Sequence, residues 1–141
     1  MDSSPTSPEA NTARARRKGI GRVVNATRCS LAGLRATFRH EAAFRQEIAL
    51  GCLTLPLLLF LAAPPVFKLA VLGAYCGVLT TELLNSAIEK VTDRASPGLH
   101  PLAKQAKDMA SAAVLVSLVG WIIAWAFTLA ASCPPVVLPP G

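Results

Sequence analysis

Apolar runs of membrane-spanning length alternate with short polar links over most of this chain. Ile48 to Phe67 carries no charge, and about 20 such residues suffice for a hydrocarbon core of ~30 Å. Pro64-Pro65 is expected to end that run, and Pro56 inside it to kink it. The link from Ala62 to Lys68 is too short for anything but an antiparallel return. A second segment runs from about Phe67 to Thr92 without a Pro break. Asp93 to Ala106 then contains Ser96-Pro97-Gly98 and His100-Pro101, which are turn signals. Lys104 to Asp108 is expected to open a new helix, and Ala110 to Ser132 is a third uncharged span with Trp121 and Trp125 one turn apart. Upstream, Gly19 to Arg45 has helical periodicity. Leu31, Leu34, Phe38 and Ala42 form one stripe, and Arg28, Arg35 and Arg39 a neighbouring one. Adjacent apolar and arginine stripes suit a helix lying in the headgroup layer, its arginines reaching lipid phosphates; the plainer reading is a solvated face of a cytosolic helix.

The pattern predicts an all-α membrane protein. Residues 1–18 form a disordered basic leader and 19–132 a membrane domain, with an amphipathic interfacial helix at 19–45 and transmembrane helices at 47–67, 67–92 and 108–132. Residues 133–141 are a Pro-rich tail. Composition agrees: the chain is 52% hydrophobic and only 16% charged, with mean hydropathy +0.47. The leader lacks the apolar core of a signal peptide, although its Arg-rich composition also suits an organellar presequence. Cys29, Cys52, Cys76 and Cys133 form no CxxC pair and read as small apolar residues, and with only two His a zinc site is not expected.

The net charge of +6 matters through its distribution. Nine of the fourteen Lys and Arg precede residue 46, and Lys90, Arg94, Lys104 and Lys107 lie between the second and third segments. The positive-inside rule then puts the N-terminus and the second link in the cytoplasm. At ~1.5 Å per residue, Glu82 falls roughly 22 Å from Phe67, in the inner third of the bilayer, and Glu89 at its cytoplasmic boundary. Glu41, Arg45 and Glu47 precede the first segment at that boundary, and Lys107, Asp108 and Ser111 open the third there.

The most informative stretch is Thr81 to Arg94. At about 100° per residue, Asn85, Ser86, Glu89 and Asp93 all fall within about 60° of Glu82, opposite Leu83, Leu84, Ala87 and Val91. A carboxylate inside a bilayer costs on the order of 3 kcal/mol, so acids gathered on one face call for a cation or a partner helix. Carboxylates at a water-accessible interface suit Mg²⁺, a hard ion that shares its oxygen ligands with phosphate. Lys107 is placed to neutralise a phosphate, and Glu82, deeper and drier, to act as general base toward a hydroxyl presented from the lipid side. The structural alternatives are a polar contact between helices for Glu82 and Asn85, and an ordinary helix-start charge pair for Lys107-Asp108. No P-loop, kinase-type Gly-rich loop, HRD or DFG is present.

Glu82-Leu-Leu-Asn85-Ser-Ala-Ile-Glu89, then Asp93-Arg94, then Ala106-Lys107-Asp108-Met109-Ala110-Ser111-Ala112-Ala113 resemble the prokaryotic diacylglycerol kinase family. Gly33-Leu34-Arg35-Ala36 and Glu41-Ala-Ala-Phe44-Arg45-Gln46-Glu47 match its N-terminal block, and the resemblance runs from about Gly21 to Phe127. It implies a homotrimer in the bacterial inner membrane, its active site at the cytoplasmic interface. It also implies transfer of the ATP γ-phosphate to the primary hydroxyl of diacylglycerol, giving phosphatidic acid, with Mg²⁺ as cofactor and no nucleic-acid partner. By matching position, Glu82 is implied as the base and Asn85 as its aid in positioning the hydroxyl. Glu41 and Glu89 are implied as Mg²⁺ ligands, and Arg22, Cys29, His100, Lys107 and Asp108 as nucleotide contacts. Arg22, Ser30, Arg35, Glu47, Glu82, Ser111 and Trp125 are implied near the lipid. Cys29 stands where family members often have an aromatic, and Ala32 where a Lys can occur. Undecaprenol kinases share the Glu82 to Asp108 core; His100-Pro-Leu-Ala-Lys104 suits both groups, and Glu41 to Glu47 leans to the diacylglycerol enzymes. From other classes, a small proton or cation transporter also places carboxylates in helices, but Leu69 to Leu79 and Gly120 to Ala131 offer few ionisable steps to the outer side. A non-enzymatic scaffold has no need of Glu82 below the surface.

Overall fold

The computed structural model of the chain describes residues 20–96, 98 and 100–133. The expected leader and all of the Pro-rich tail except Cys133 lie outside them. The described residues form helices and connecting loops with no strand. The chain divides into two units, the first ending at Arg39 and the second beginning at His40. In the first, α1 (Ile20–His40) carries the apolar and arginine stripes together; Val23, Leu31, Leu34 and Phe38 are exposed along it.

The second unit holds α2 (Ala42–Thr54), a 3-10 helix (Leu55–Leu59), α3 (Pro65–Ala95) and α4 (Pro101–Ser132). Three stretches are long and apolar enough to cross a membrane: Ala42–Leu59, Pro65–Ala95 and Pro101–Ser132. The first is the shortest. Its five 3-10 residues rise about 2.0 Å each against ~1.5 Å for the α-helical ones, bringing it to about 30 Å, the thickness of the hydrocarbon core. The other two reach well over 40 Å at ~1.5 Å per residue, so their ends project beyond that core.

Helix limits differ from the sequence expectation at every junction, each time for a local reason. Glu41 is extended (φ −104°, ψ 119°) and N-caps α2, so the helix expected through Arg45 ends at His40, and Ala42 belongs to the next helix rather than to the α1 stripe. Pro56 lacks an N–H for the α-helical ladder, and the segment tightens into the 3-10 helix there. That helix stops at Leu59, short of Phe67, and Pro65 opens α3 at its first position, where a missing N–H costs nothing. Pro101 opens α4 in the same way, seven residues before the expected start. His100 Nδ1 accepts the Leu102 N–H at 3.2 Å and caps it.

α3 and α4 form an antiparallel pair. Thr128 Oγ1 donates to the Phe67 carbonyl at 3.3 Å, Thr81 and Ser117 share a hydroxyl hydrogen bond of 2.8 Å, and Lys107 meets Asp93 at 2.5 Å. Residue number thus rises along one helix as it falls along the other. Buried and half-buried positions on α4 step by four and three in turn (Ala110, Val114, Ser117, Trp121, Ala124, Thr128), and α3 answers with Val71, Tyr75, Val78, Glu82, Asn85 and Glu89. This repeat of about 3.5 residues is the seam of a coiled-coil-like pair. Leu58 of the 3-10 helix joins Val71, Val78 and Trp121 in the core, so the first segment packs on the same pair. The opposite face of α3 is exposed at Leu84, Ala87 and Val91, as befits a surface solvated by lipid.

Replacing both Thr81 and Ser117 by Val is expected to show a coupling of about 0.6 kcal/mol in a double-mutant cycle, the average for hydrogen bonds between membrane helices. Unfolding in mixed detergent measures it.

Candidate active site

The polar end of the seam is the candidate site. Glu82 and Ser86 are each only 3% exposed, one turn apart on α3, and the half-buried Asn85 and Glu89 extend the same face toward the helix end. Asn85 Nδ2 donates to Glu89 Oε1 at 3.5 Å, while Asn85 Oδ1 is buried and accepts nothing from the protein. Glu41 arrives from the start of α2 and pairs with Lys90, and Ser111 arrives from α4. Glu41, Glu82, Asn85, Glu89 and Ser111 line one cleft of about 330 Å³, with Val114, Leu115 and Leu118 as its apolar wall. Its polar groups come from three helices, and a lipid-like wall faces them.

A second cleft, of about 250 Å³, lies at the α3–α4 turn between Thr92, Asp93, Ser96, His100, Lys104 and Lys107. Its cations are already paired: Lys107 with Asp93 at 2.5 Å and Lys104 with Asp108 at 2.5 Å. Both pairs are well exposed, and such pairs contribute only about 0–1 kcal/mol. Exchanging a carboxylate partner for a phosphate is therefore inexpensive. His100 both caps α4 and lines this cleft.

The expected site residues therefore fall into separate groups. Glu41, Glu82, Asn85, Glu89 and Ser111 come together, and His100 and Lys107 form the second group, with Asp108 tied to Lys104. Glu47 is buried at 8% with Oε2 unpartnered, within electrostatic range of Glu82. Trp125 is not with them. It lines an apolar cleft with Leu50, Thr54, Leu57, Trp121 and Leu129, four turns along α4 from Ser111. Arg22, Cys29, Ser30 and Arg35 lie on α1 in the first unit, where Ser30 Oγ donates to the Ala26 carbonyl at 3.0 Å and Asn25 to the Cys29 sulfur at 3.9 Å. In the sequence Lys90 counts only toward topology, and its pairing with Glu41 emerges from the structure. The available signal was its position beside Glu89, where helical pitch swings it toward the start of the first segment.

No group of three or more His, Cys, Asp or Glu among the described residues is placed to hold a metal alone. The donors facing the acid cleft are carboxylate and amide oxygens, the class that Mg²⁺ takes when phosphate and water complete its shell. Glu41 and Glu89 fit such a partial set, since each lines the cleft and neither is fully buried.

Fold and site together define a small integral-membrane protein with three spans and an acid-lined cleft at one end. The model of the prokaryotic diacylglycerol kinase family matches residues 28–129, and the chain belongs to that family. The diacylglycerol kinase of Pseudomonas aeruginosa is 44% identical over 111 residues, covering 79% of this chain and 90% of the relative. Those of Haemophilus influenzae and Escherichia coli K12 are each 38% identical, over 107 and 111 residues, covering 76% and 79% of this chain and 91% of each relative.

Single cysteines at positions 41, 90 and 107, in a background with the four exposed native cysteines replaced, are expected to react with an impermeant maleimide in the same vesicle orientation. A cysteine at 82 should react slowly in both. Labelling of 41 and 107 from opposite faces would dismantle the site.

Proposed function

We propose that the chain is an ATP-dependent lipid kinase that phosphorylates the primary hydroxyl of diacylglycerol. The observation that carries this reading is the acid cleft itself. A buried carboxylate, Glu82, lies one turn from a buried amide oxygen that lacks a donor, beside an apolar wall and below two more accessible carboxylates. A hydroxyl on an apolar molecule fits the inner end and a metal-bound polyphosphate the outer end. Family membership and the names of the relatives support the same substrate pair.

In this mechanism the lipid hydroxyl enters along Val114, Leu115 and Leu118 and donates toward Glu82, with Asn85 of the same helix face helping to position it. Its oxygen bonds to the γ-phosphorus as the bond to the β–γ bridging oxygen breaks; the proton passes to Glu82, and ADP leaves. Glu41 and Glu89 would hold Mg²⁺, which when bound would supply neutralisation of the phosphate charge. For Glu41 this means trading Lys90 for the ion, a small cost for a partly exposed pair. Lys107 and His100 take the nucleotide phosphates in the neighbouring cleft, with Asp108, Arg22 and Cys29 as further nucleotide contacts. Ser30, Arg35, Glu47, Ser111 and Trp125 take the glycerol and acyl part. Positioning and charge neutralisation supply most of the rate, as in phosphoryl transfer generally. The chain works as a homotrimer in the bacterial inner membrane, N-terminus cytoplasmic, its exposed apolar helix faces divided between lipid and neighbouring copies.

Phosphorylation of a short-chain diacylglycerol by the detergent-solubilised protein tests this directly, with a polyprenol as the rival acceptor; absence of ATP consumption with either overturns it. Glu82→Gln is expected to lower turnover by about a hundredfold or more, the usual worth of a general base, while the protein stays folded by circular dichroism. Glu89→Gln is expected to shift the Mg²⁺ titration to higher concentration; an unchanged titration removes Glu89 from the metal.

A further inference from the structure

Tyr75 joins all three segments of the second unit. Its hydroxyl donates to the Glu47 main-chain oxygen at 3.2 Å. Its ring lies so close to Gly51 that a Cβ there would collide with the ring carbons and the hydroxyl, whereas Cβ atoms at Gly73, Gly77 and Gly120 would meet nothing. Behind it stands Trp121 of α4, ring centroids 5.3 Å apart and planes tilted by 39°. Tyr75 therefore grips one turn of α2 at both ends, the carbonyl of Glu47 and the Cα of Gly51, and is itself backed by an indole only 4% exposed.

That turn carries Glu47, whose buried carboxylate lies in electrostatic range of Glu82. Nearer the site, Glu41 at the start of α2 pairs with Lys90 of α3, and such a partly exposed pair locates a helix weakly. A ring seated in a notch admits one register only. The acid site stands two turns along α3 from Tyr75, and everything α2 contributes to it depends on how α2 lies against α3.

We propose that Tyr75 is a positioning residue: seated in the Gly51 notch and braced by Trp121, it sets the register of α2 and so places Glu47, on the gripped turn, for the lipid acceptor. It acts through Glu47 and touches no substrate. For its activity arm this rests on the lipid-kinase reading above.

The decisive experiment is a double-mutant cycle read in kcat/KM for a short-chain diacylglycerol. Gly51→Ala is expected to lower this by about tenfold to a hundredfold, the scale of a sub-ångström to ångström misplacement. Tyr75→Leu, which removes the ring from the notch, is expected to show a loss of the same scale, and Gly51→Ala/Tyr75→Leu to lose no more than Tyr75→Leu alone, because both changes break one contact. Tyr75→Phe should give a smaller loss that vanishes in a Glu47→Gln background, because the hydroxyl serves only the turn bearing Glu47. Losses that multiply independently, or an unchanged kcat/KM in Tyr75→Leu, overturn the proposal. A second readout needs no activity. With Trp125→Phe, Trp121 is the chain's sole tryptophan, and its emission should shift in Gly51→Ala and in Tyr75→Leu, and no further in Gly51→Ala/Tyr75→Leu than in Tyr75→Leu. Unmoved emission overturns the clamp even if the enzyme is active; an inactive wild-type chain with the expected emission shifts overturns the kinase reading, and with it the positioning role, while leaving the packing intact.

Discussion

A carboxylate that stays inside a membrane helix needs a surrounding that tolerates it, and the rest of this molecule is arranged around that need at Glu82. At 3% exposure Glu82 is sheltered on the α3–α4 seam, away from lipid. Placing it there requires α3 and α4 to keep one register along their whole length. Hydroxyls at both depths fix that register, Thr128 on the Phe67 carbonyl and Thr81 on Ser117, with the Tyr75–Trp121 ring contact between them. The same stepping by four and three that packs Val71, Val78 and Trp121 in the apolar half brings Glu82, Asn85 and Glu89 to the seam in the polar half. One periodicity therefore makes the core and the site.

The two kinds of charge in the site differ in cost. Buried groups such as Glu82, Glu47 and the amide oxygen of Asn85 are expensive, because hydrocarbon offers no substitute for water. Asn85 Oδ1 and Glu47 Oε2 also lack partners in the protein. The pairs at the helix ends, Glu41–Lys90, Asp93–Lys107 and Lys104–Asp108, are partly or largely exposed and individually worth little. Expensive groups are held still by packing, and inexpensive ones can change partners when a charged ligand arrives. Fixed acids below exchangeable ion pairs suit the meeting of a lipid with a polyphosphate.

Much of this was legible in the sequence because helical pitch is rigid. Glu82, Asn85, Ser86 and Glu89 had to share a face, and the outward turn of Leu84, Ala87 and Val91 follows from the same angle. The convergence of Glu41, Glu89 and Ser111 followed from three segments crossing the same thickness of membrane. What pitch does not encode stayed hidden. The break at Glu41 is a matter of one backbone angle, and the start of α4 at Pro101 rests on a proline and a capping imidazole that read as a turn. Choice among cations was equally invisible: Lys90 and Lys107 lie on neighbouring stretches, and only their packing decides that one meets Glu41 and the other Asp93.

Tyr75 shows why composition hides the contacts that matter most inside a membrane segment. In the run from Leu69 to Leu79 it reads as one more apolar position, and Gly51 as one more small residue. Their meaning appears only when α2 is laid on α3, because a notch exists only opposite something that fills it. Hydrophobic burial does little to hold one helix against another in lipid, where tails solvate leucine as well as a neighbouring helix does. Register must then come from shape and from scarce hydrogen bonds, and the Tyr75 ring supplies both at one position. A site assembled from three helices in a bilayer is only as well defined as such contacts, so the apolar half of this protein sets the accuracy of its polar half.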